Sequence, residues 1–188
     1  MARKPRGRWA YLEDFRPTAD GQYVYTGALY SFAEGDEALK KHRRSLWLLS
    51  APVFAVILAL GFLRIPGMVG CAYVLIPYAA ELFCSGFTLW SLGSMTGKKL
   101  REYSYKRSVV RFPVFYPLTA ILAAVCIVTE VIFVITNGAA SGLWLAILYW
   151  ALELAILALA LLSRAEAKRA RWNCEENAGV PASMDEMP

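Results

Sequence analysis

The sequence is poor in charged residues and almost lacks histidine. Charged residues make up 19% of the chain and hydrophobic residues 57%, whereas soluble domains average roughly 25% and 45–50%. The single histidine, His42, lies in a basic run. Its isolation excludes Ser-His-Asp triads, Cys-His dyads and zinc sites built on histidine. The composition also excludes an ordinary soluble domain.

Paired cysteines are missing as well. The four cysteines, Cys71, Cys84, Cys126 and Cys174, form no CxxC pair. We expect small buried hydrophobic residues rather than a disulfide framework or a zinc knuckle. The sequence contains no glycine-rich phosphate loop either. We therefore expect no cofactor and no metal site, although Glu81, Glu153 and Cys126 lie at similar depth and could in principle bind a metal. An enzyme is the least favoured class of function.

The sequence has instead four long apolar runs without Lys or Arg, at 46–63, 67–93, 114–136 and 142–163. Hydrocarbon cannot hydrogen-bond to free backbone groups, so about 20 apolar residues in a row predict a membrane-spanning helix. The expected fold is that of an all-α integral membrane protein. A four-helix transmembrane bundle is predicted over residues 45–163.

Two polar segments flank this domain. Residues 1–44 form an N-terminal segment, in which the aromatic, β-favouring run 18–33 predicts a small hairpin. Two strands alone are marginal in water, so this hairpin should pack on the bundle or on another protein. Residues 164–188 form a tail that begins as a continuation of the last helix and is expected to be partly disordered beyond it.

Basic residues lie almost entirely on one side of the predicted spans. Nineteen of the 20 Lys and Arg residues come before the first span, between the second and third, or after the fourth, and only Arg64 lies elsewhere. The positive-inside rule then predicts an inner or plasma membrane protein with both termini in the cytoplasm.

The basic clusters beside the spans are expected to bind anionic lipid headgroups on the cytoplasmic side. Each Lys or Arg near such headgroups gains about 1 kcal/mol. These membrane-surface anchors are Lys40, Lys41, Arg43, Arg44, Lys98, Lys99 and Arg101. Lipid binding accounts for the sequence pI of about 9.1, so we expect no nucleic-acid partner.

Three glutamates inside the apolar runs carry the strongest functional signal: Glu81, Glu130 and Glu153. An acid in a membrane helix is costly and is a functional hypothesis by default. Glu81 and Glu153 lie near the middle of their spans, whereas Glu130 lies roughly 7.5 Å closer to the outside. Small and polar residues follow each acid at helical spacing, which predicts that all three face the bundle interior.

Other polar side chains at similar depth complete the candidate site. No Lys, Arg or His accompanies the acids, so we expect protonated carboxyls that hydrogen-bond to one another or to Tyr78 and Tyr149. Cys126 lies at the same level. Two interpretations stay open: the acids tie the helices together, or they exchange a proton or cation with a transported species.

The sequence therefore favours a small transporter-like protein coupled to protons or cations. Four spans leave little room for a pathway inside one chain, so a homodimer or a partner membrane protein is expected. The alternative is a noncatalytic membrane subunit or scaffold that binds a cytoplasmic or membrane partner.

Overall fold

The computed structural model describes residues 15–17, 23–138, 142–175 and 180–181. Its long helices are α1 (Asp36–Leu60), α2 (Ala72–Gly93), α4 (Phe112–Asn137) and α5 (Leu143–Arg169), and a short helix, α3 (Glu102–Arg107), precedes α4. Each long helix is long and apolar enough to cross a membrane. The four predicted apolar helices are thus confirmed, and they are compatible with an integral membrane protein.

The outer surface of the bundle is apolar. Only 28–33% of the most hydrophobic window of each long helix is buried within the chain. Large side chains such as Phe83, Ile121 and Trp144 are 60–74% exposed. An apolar surface of this extent is unusual for a soluble monomer, and it suits contact with lipid.

Local signals in the sequence account for the helix ends. Asp36 and Glu37 occupy the first turn of α1, and Lys168 and Arg169 the last turn of α5, which are the ends where the helix dipole favours these charges. Pro113 stands at the start of α4, where the missing N–H costs nothing. Helix α1 therefore extends beyond its apolar part to include the preceding charged run.

The long helices form a ring in which α1 packs against α2 and α5, and α4 also packs against α2 and α5. Helices α2 and α5 consequently lie across the bundle from each other. We call the end that holds segments 61–71 and the connection from α4 to α5 the turn end. The opposite end, which holds residues 94–111 and the β-strands, is the sheet end.

Two small antiparallel sheets lie at the sheet end. The first contains β1 (Phe15–Pro17), β2 (Tyr23–Tyr25) and β6 (Val180–Pro181) in the order β1-β2-β6. The second contains β3 (Leu29–Phe32), β4 (Lys99–Arg101) and β5 (Trp172–Glu175) in the order β4-β3-β5. The central strand β3 thus joins the N-terminal segment, the connection after α2 and the tail.

The hairpin predicted over 18–33 differs from this arrangement. Segments 23–25 and 29–32 do form strands, but they belong to different sheets. Both edges of β3 are taken by β4 and β5, because those segments are brought alongside by the bundle. Residues 18–22 of the predicted hairpin and residues 176–179 and 182–188 of the tail lie outside the described residues.

Aromatic residues fasten the second sheet to the bundle. Phe32 is buried, stacks on His42 of α1 and meets Trp172 of β5 edge-on. Tyr30 stacks on Tyr105 of α3 with ring centroids 3.8 Å apart. The aromatic N-terminal segment therefore packs within the chain, as one of the two sequence-based expectations had it.

Candidate functional site

Two carboxyl groups and a thiol meet at the centre of the bundle. Glu81 on α2, Cys126 on α4 and Glu153 on α5 have ligand atoms that all lie within 4.8 Å of one another. All three side chains have no exposed surface. Since α2 and α5 lie across the ring, the two carboxyls meet near the bundle axis, with the thiol beside them. We call these three residues the carboxyl–thiol cluster.

Helical spacing positions each member of the cluster. Glu81 shares the buried face of α2 with Tyr78, Cys84 and Ser85, at separations of three and four residues. Glu153 shares the buried face of α5 with Tyr149 and Ile156 in the same way. The stripes of small and polar residues in the sequence are therefore the interior faces of the helices.

Most polar atoms of the cluster lack a partner. The Cys126 thiol donates to Glu81 Oε2 over 3.7 Å, but Glu81 Oε1 and both carboxyl oxygens of Glu153 are buried without a hydrogen bond. The Tyr149 hydroxyl is buried beside Glu153 and Cys126 and interacts with both. Such a group can share protons or ligate a metal ion.

Basic side chains do not compensate these acids. Among the described residues, the buried charged side chains are His42, Glu81, Glu130 and Glu153. His42 lies at the sheet end, where its Nδ1 is 3.3 Å from Glu166. When the cluster is ionised, no buried basic side chain among the described residues neutralises its negative charge.

Of the other three predicted site residues, Tyr149 borders the cluster, and Tyr78 and Glu130 are not among its members. Tyr78 donates to the backbone oxygen of Ile57 on α1 over 2.9 Å, so its hydroxyl joins two helices. Glu130 lies one turn from Cys126 along α4 toward the turn end. It is completely buried, and neither of its oxygens has a hydrogen-bond partner.

A small cavity lined by hydroxyl groups lies between the cluster and the sheet end. Its volume is about 10 Å³, at the lower limit for one water molecule. All four long helices contribute to it, through Ser50, Val53, Ser85, Thr88, Tyr116, Thr119, Ala160 and Ser163. We call it the hydroxyl cavity.

Sequence reasoning missed two members of the hydroxyl cavity. Ser50 bonds to the Tyr116 hydroxyl at 3.1 Å, and Ser163 is 1% exposed. The available signal was their spacing, because Ser50 falls on the α1 face that also buries Leu46, Val53 and Ile57. The apolar part of α1, from Leu46 onward, contains no acid, so no charged residue marks its interior face in the sequence.

A larger cleft opens at the turn end. Its volume is about 330 Å³, and Arg64, Phe133 and Asn137 are among the residues that line it. Phe133 and Asn137 follow Glu130 along α4. The cleft therefore lies on the far side of Glu130 from the carboxyl–thiol cluster.

Several predicted lipid anchors make contacts within the chain. Lys98 pairs with Asp36 at 3.2 Å, Lys99 with Glu175 at 2.5 Å and Lys40 with Glu37 at 2.8 Å. The Arg43 guanidinium donates to the backbone oxygen of Met95, and that of Arg101 lies over the Phe15 and Tyr25 rings. Lys41 and Arg44 are exposed on α1. All seven lie at the sheet end.

Comparison of this chain with protein-family models, with curated proteins and with solved structures found no match.

Proposed function

We propose that this chain is an integral membrane protein in which the carboxyl–thiol cluster binds and releases a proton or another cation, as in a small transporter. The observation that carries the proposal is the meeting of Glu81 and Glu153 across the bundle axis, within 4.8 Å and without a basic partner. Two acids so placed cannot both be ionised without a cation between or on them.

Helix packing alone is a poor explanation of this arrangement. A buried polar group without a hydrogen bond costs roughly 1–3 kcal/mol, and three carboxyl oxygens of the pair are in that state. A purely structural polar contact would satisfy these atoms, and Asn, Gln or Ser would provide it at lower cost in hydrocarbon. The unpartnered oxygens therefore favour a bound ligand.

Polar groups continue from the cluster toward both ends of the bundle. Thr88 and Thr119 of the hydroxyl cavity each lie seven residues from a cluster member toward the sheet end, about 10 Å along the helix. Toward the turn end, Glu130 lies one turn from Cys126, followed by the cleft beside Asn137. These groups supply stepping points for a proton or a small cation.

A flux measurement tests the proposal. The full chain is purified, reconstituted into liposomes that enclose a pH-sensitive dye, and given a potassium diffusion potential. We expect proton movement or proton-coupled cation uptake that E81Q and E153Q each abolish, because glutamine keeps the shape of glutamate but cannot titrate. E130Q should reduce the flux less, because Glu130 lies outside the pair.

The matched control is E166Q, which removes an acid of α5 outside the bundle centre. Its flux should equal that of the original protein, provided that size-exclusion profiles agree. Equal flux in E81Q, E153Q and the original protein, or no flux of any cation in well-folded protein, would refute the transporter proposal.

We further propose that the sheet end faces the cytoplasm, with Lys41 and Arg44 at anionic headgroups. The uneven distribution of basic residues supports this orientation. Two cysteines at opposite ends provide the test, since Cys71 at the turn end is partly exposed and Cys174 on β5 is exposed. An impermeant thiol reagent applied to intact cells should label Cys71 and spare Cys174, and the reverse pattern would invert the topology.

The second candidate function is a noncatalytic subunit or scaffold. Its support is the sheet in which β3 joins three segments of the chain, because these segments form a folded surface at the sheet end. Purification in mild detergent should then recover a second membrane or cytoplasmic protein in stoichiometric amount. A homodimer without such a partner favours the transporter, because a second copy would provide the additional helices that a pathway needs.

A further inference from the structure

The carboxyl–thiol cluster has the ligand types and the spacing of a metal site. Its three potential ligands come from three different helices, are fully buried, and place one atom each within 4.8 Å of the others. A carboxylate, a thiolate and a second carboxylate can all bind a metal of borderline softness. The three potential ligands lie far apart in the sequence, and the fold brings them together.

The distance between the sulfur and the nearest carboxyl oxygen already fits a shared metal ion. For Zn²⁺, bonds of about 2.3 Å to sulfur and about 2.1 Å to oxygen at a tetrahedral angle place the two ligand atoms about 3.6 Å apart. The observed separation between Cys126 Sγ and Glu81 Oε2 is 3.7 Å. The three ligand atoms lie within 4.8 Å of one another, and rotation of the terminal carboxyl groups, which is soft in glutamate, changes the distances between their oxygens.

The unpartnered polar atoms point independently to a ligand. Glu81 Oε1 and both oxygens of Glu153 are buried without hydrogen bonds, so their lone pairs are free to bind an ion. The Tyr149 hydroxyl belongs to a fully buried side chain and interacts with both Glu153 and Cys126. It is placed to donate to a metal-bound carboxylate, the usual role of a group that surrounds metal ligands.

Charge and coordination number select the class of ion. Two carboxylates and a thiolate carry up to three negative charges, and no basic side chain is buried beside them in the described part of the chain. Calcium takes six to eight oxygen ligands and magnesium about six, mostly oxygens and waters. A site of three protein ligands that includes sulfur suits a tetrahedral ion instead.

We infer that Glu81, Cys126 and Glu153 bind one divalent transition-metal ion of the Zn²⁺ class at the centre of the bundle, with Tyr149 hydrogen-bonded to a ligand. The inference rests on the proposed function, because it names the cation of the same cluster. Binding replaces the protons that the thiol and carboxyls otherwise hold, so metal uptake releases protons. This exchange supplies a direct coupling between a metal ion and protons.

Cobalt spectroscopy on the full chain tests the inference. Protein in detergent is stripped with a chelator and titrated with Co²⁺, which replaces Zn²⁺ and reports thiolate ligation by a charge-transfer band in the near ultraviolet. We expect one Co²⁺ per chain, the thiolate band, and loss of the band when Zn²⁺ is added. Absence of the band in folded protein overturns the inference.

Matched variants locate the site. C126S should remove the band, whereas C84S, which alters another buried thiol of the bundle, should leave it unchanged. E81Q and E153Q should each weaken Co²⁺ binding at least about tenfold, in keeping with the 10–100-fold effects of groups that only support metal ligands. A band that survives C126S refutes the assignment.

A second variant keeps the test decisive if C126S does not fold. The triple variant C71S/C84S/C174S leaves Cys126 as the last thiol of the chain, and it must retain the full thiolate band. Loss of the band there would assign the metal to another cysteine and overturn the inference.

The two proposals fail in different ways. Proton flux that depends on Glu81 and Glu153 without Co²⁺ binding would refute the metal site and leave the proposed function intact. Stoichiometric Co²⁺ binding without flux of metal or protons would support the metal site and refute transport.

Discussion

The sheet end and the centre of the bundle both bury ionisable side chains, but they satisfy them differently. At the sheet end, buried His42 lies 3.3 Å from the Glu166 carboxyl and stacks on Phe32. At the bundle centre, Glu81 and Glu153 face each other, and three of their four oxygens have no hydrogen bond. A buried ionisable side chain that has an interaction partner is typical of a structural contact, whereas one without a partner is a candidate for binding a ligand.

The same contrast holds for the polar contacts around each region. Lys99 and Ser31 both donate to Glu175, so strands β3, β4 and β5 are joined by side chains as well as backbone bonds. Glu130, by comparison, is buried without any partner. The side-chain contacts of the sheet end thus hold structural elements together, whereas the buried acids of the bundle centre are available to bind a ligand.

The largest effect on the free energy of unfolding should come from removing an aromatic side chain that holds the sheet end together. F32A deletes an aromatic ring that contacts His42 and Trp172, and a buried Phe to Ala change costs about 3–5 kcal/mol. Reversible unfolding in mixed micelles should reveal that loss. F83A is the control, because Phe83 is 68% exposed on the outer surface of the bundle and should change the free energy of unfolding little. Equal losses of unfolding free energy in F32A and F83A would contradict the distinction between the buried aromatic contacts of the sheet end and the outer surface of the bundle.

An opposite effect is expected at the bundle centre. E153L replaces a buried carboxyl that has no basic partner among the described residues, and it removes a desolvation cost of roughly 1–3 kcal/mol. In chelator-treated protein, the melting temperature should therefore rise while flux and Co²⁺ binding are lost. E166L should instead lower the melting temperature, because it leaves His42 without its partner. A destabilised E153L would indicate that the acid is structural.

The smallest effect concerns the pH dependence of the sheet end. The hydrogen bonds that Lys99 and Ser31 donate lower the pKa of the Glu175 carboxyl. Because the folded carboxylate binds protons less readily than the unfolded one, its stabilisation is present above about pH 4.3 and is lost as the pH falls through the lowered pKa. The protection factors of the β5 amides, which correct for the intrinsic pH dependence of exchange, should fall over that range, and E175Q should flatten this dependence. Identical profiles for both proteins would contradict the role of Glu175.

Much of the architecture could be predicted from the sequence because it rests on local composition. The apolar runs, free of Lys and Arg, predicted four long helices, since hydrocarbon and backbone hydrogen bonding leave few other solutions. The spacing of small and polar residues around Glu81 and Glu153 predicted interior faces for both. These properties depend on neighbours within a few turns of one helix.

The pairing of strands could not be predicted in the same way. The β-favouring residues of 23–32 indicated strands, but their partners lie far along the chain, at 99–101 and 172–175. Local pattern favours the nearest pairing, a hairpin, whereas the bundle places the connection after α2 and the end of α5 beside β3. The placement of segments that are distant in the sequence therefore determined the strand pairing, rather than the tendency of neighbouring strands to form a hairpin.

By itself, the sequence determined which residues are apolar enough to form four long helices and which face of each helix carries its acid. Only the tertiary structure decided which ligand atoms come within 4.8 Å of one another, namely those of Glu81, Cys126 and Glu153, and that Ser50 and Ser163 complete a shared cavity. The physical reason is that helical periodicity fixes the angle of a side chain around its own helix. The rotation, depth and order of the helices are set by their packing against one another.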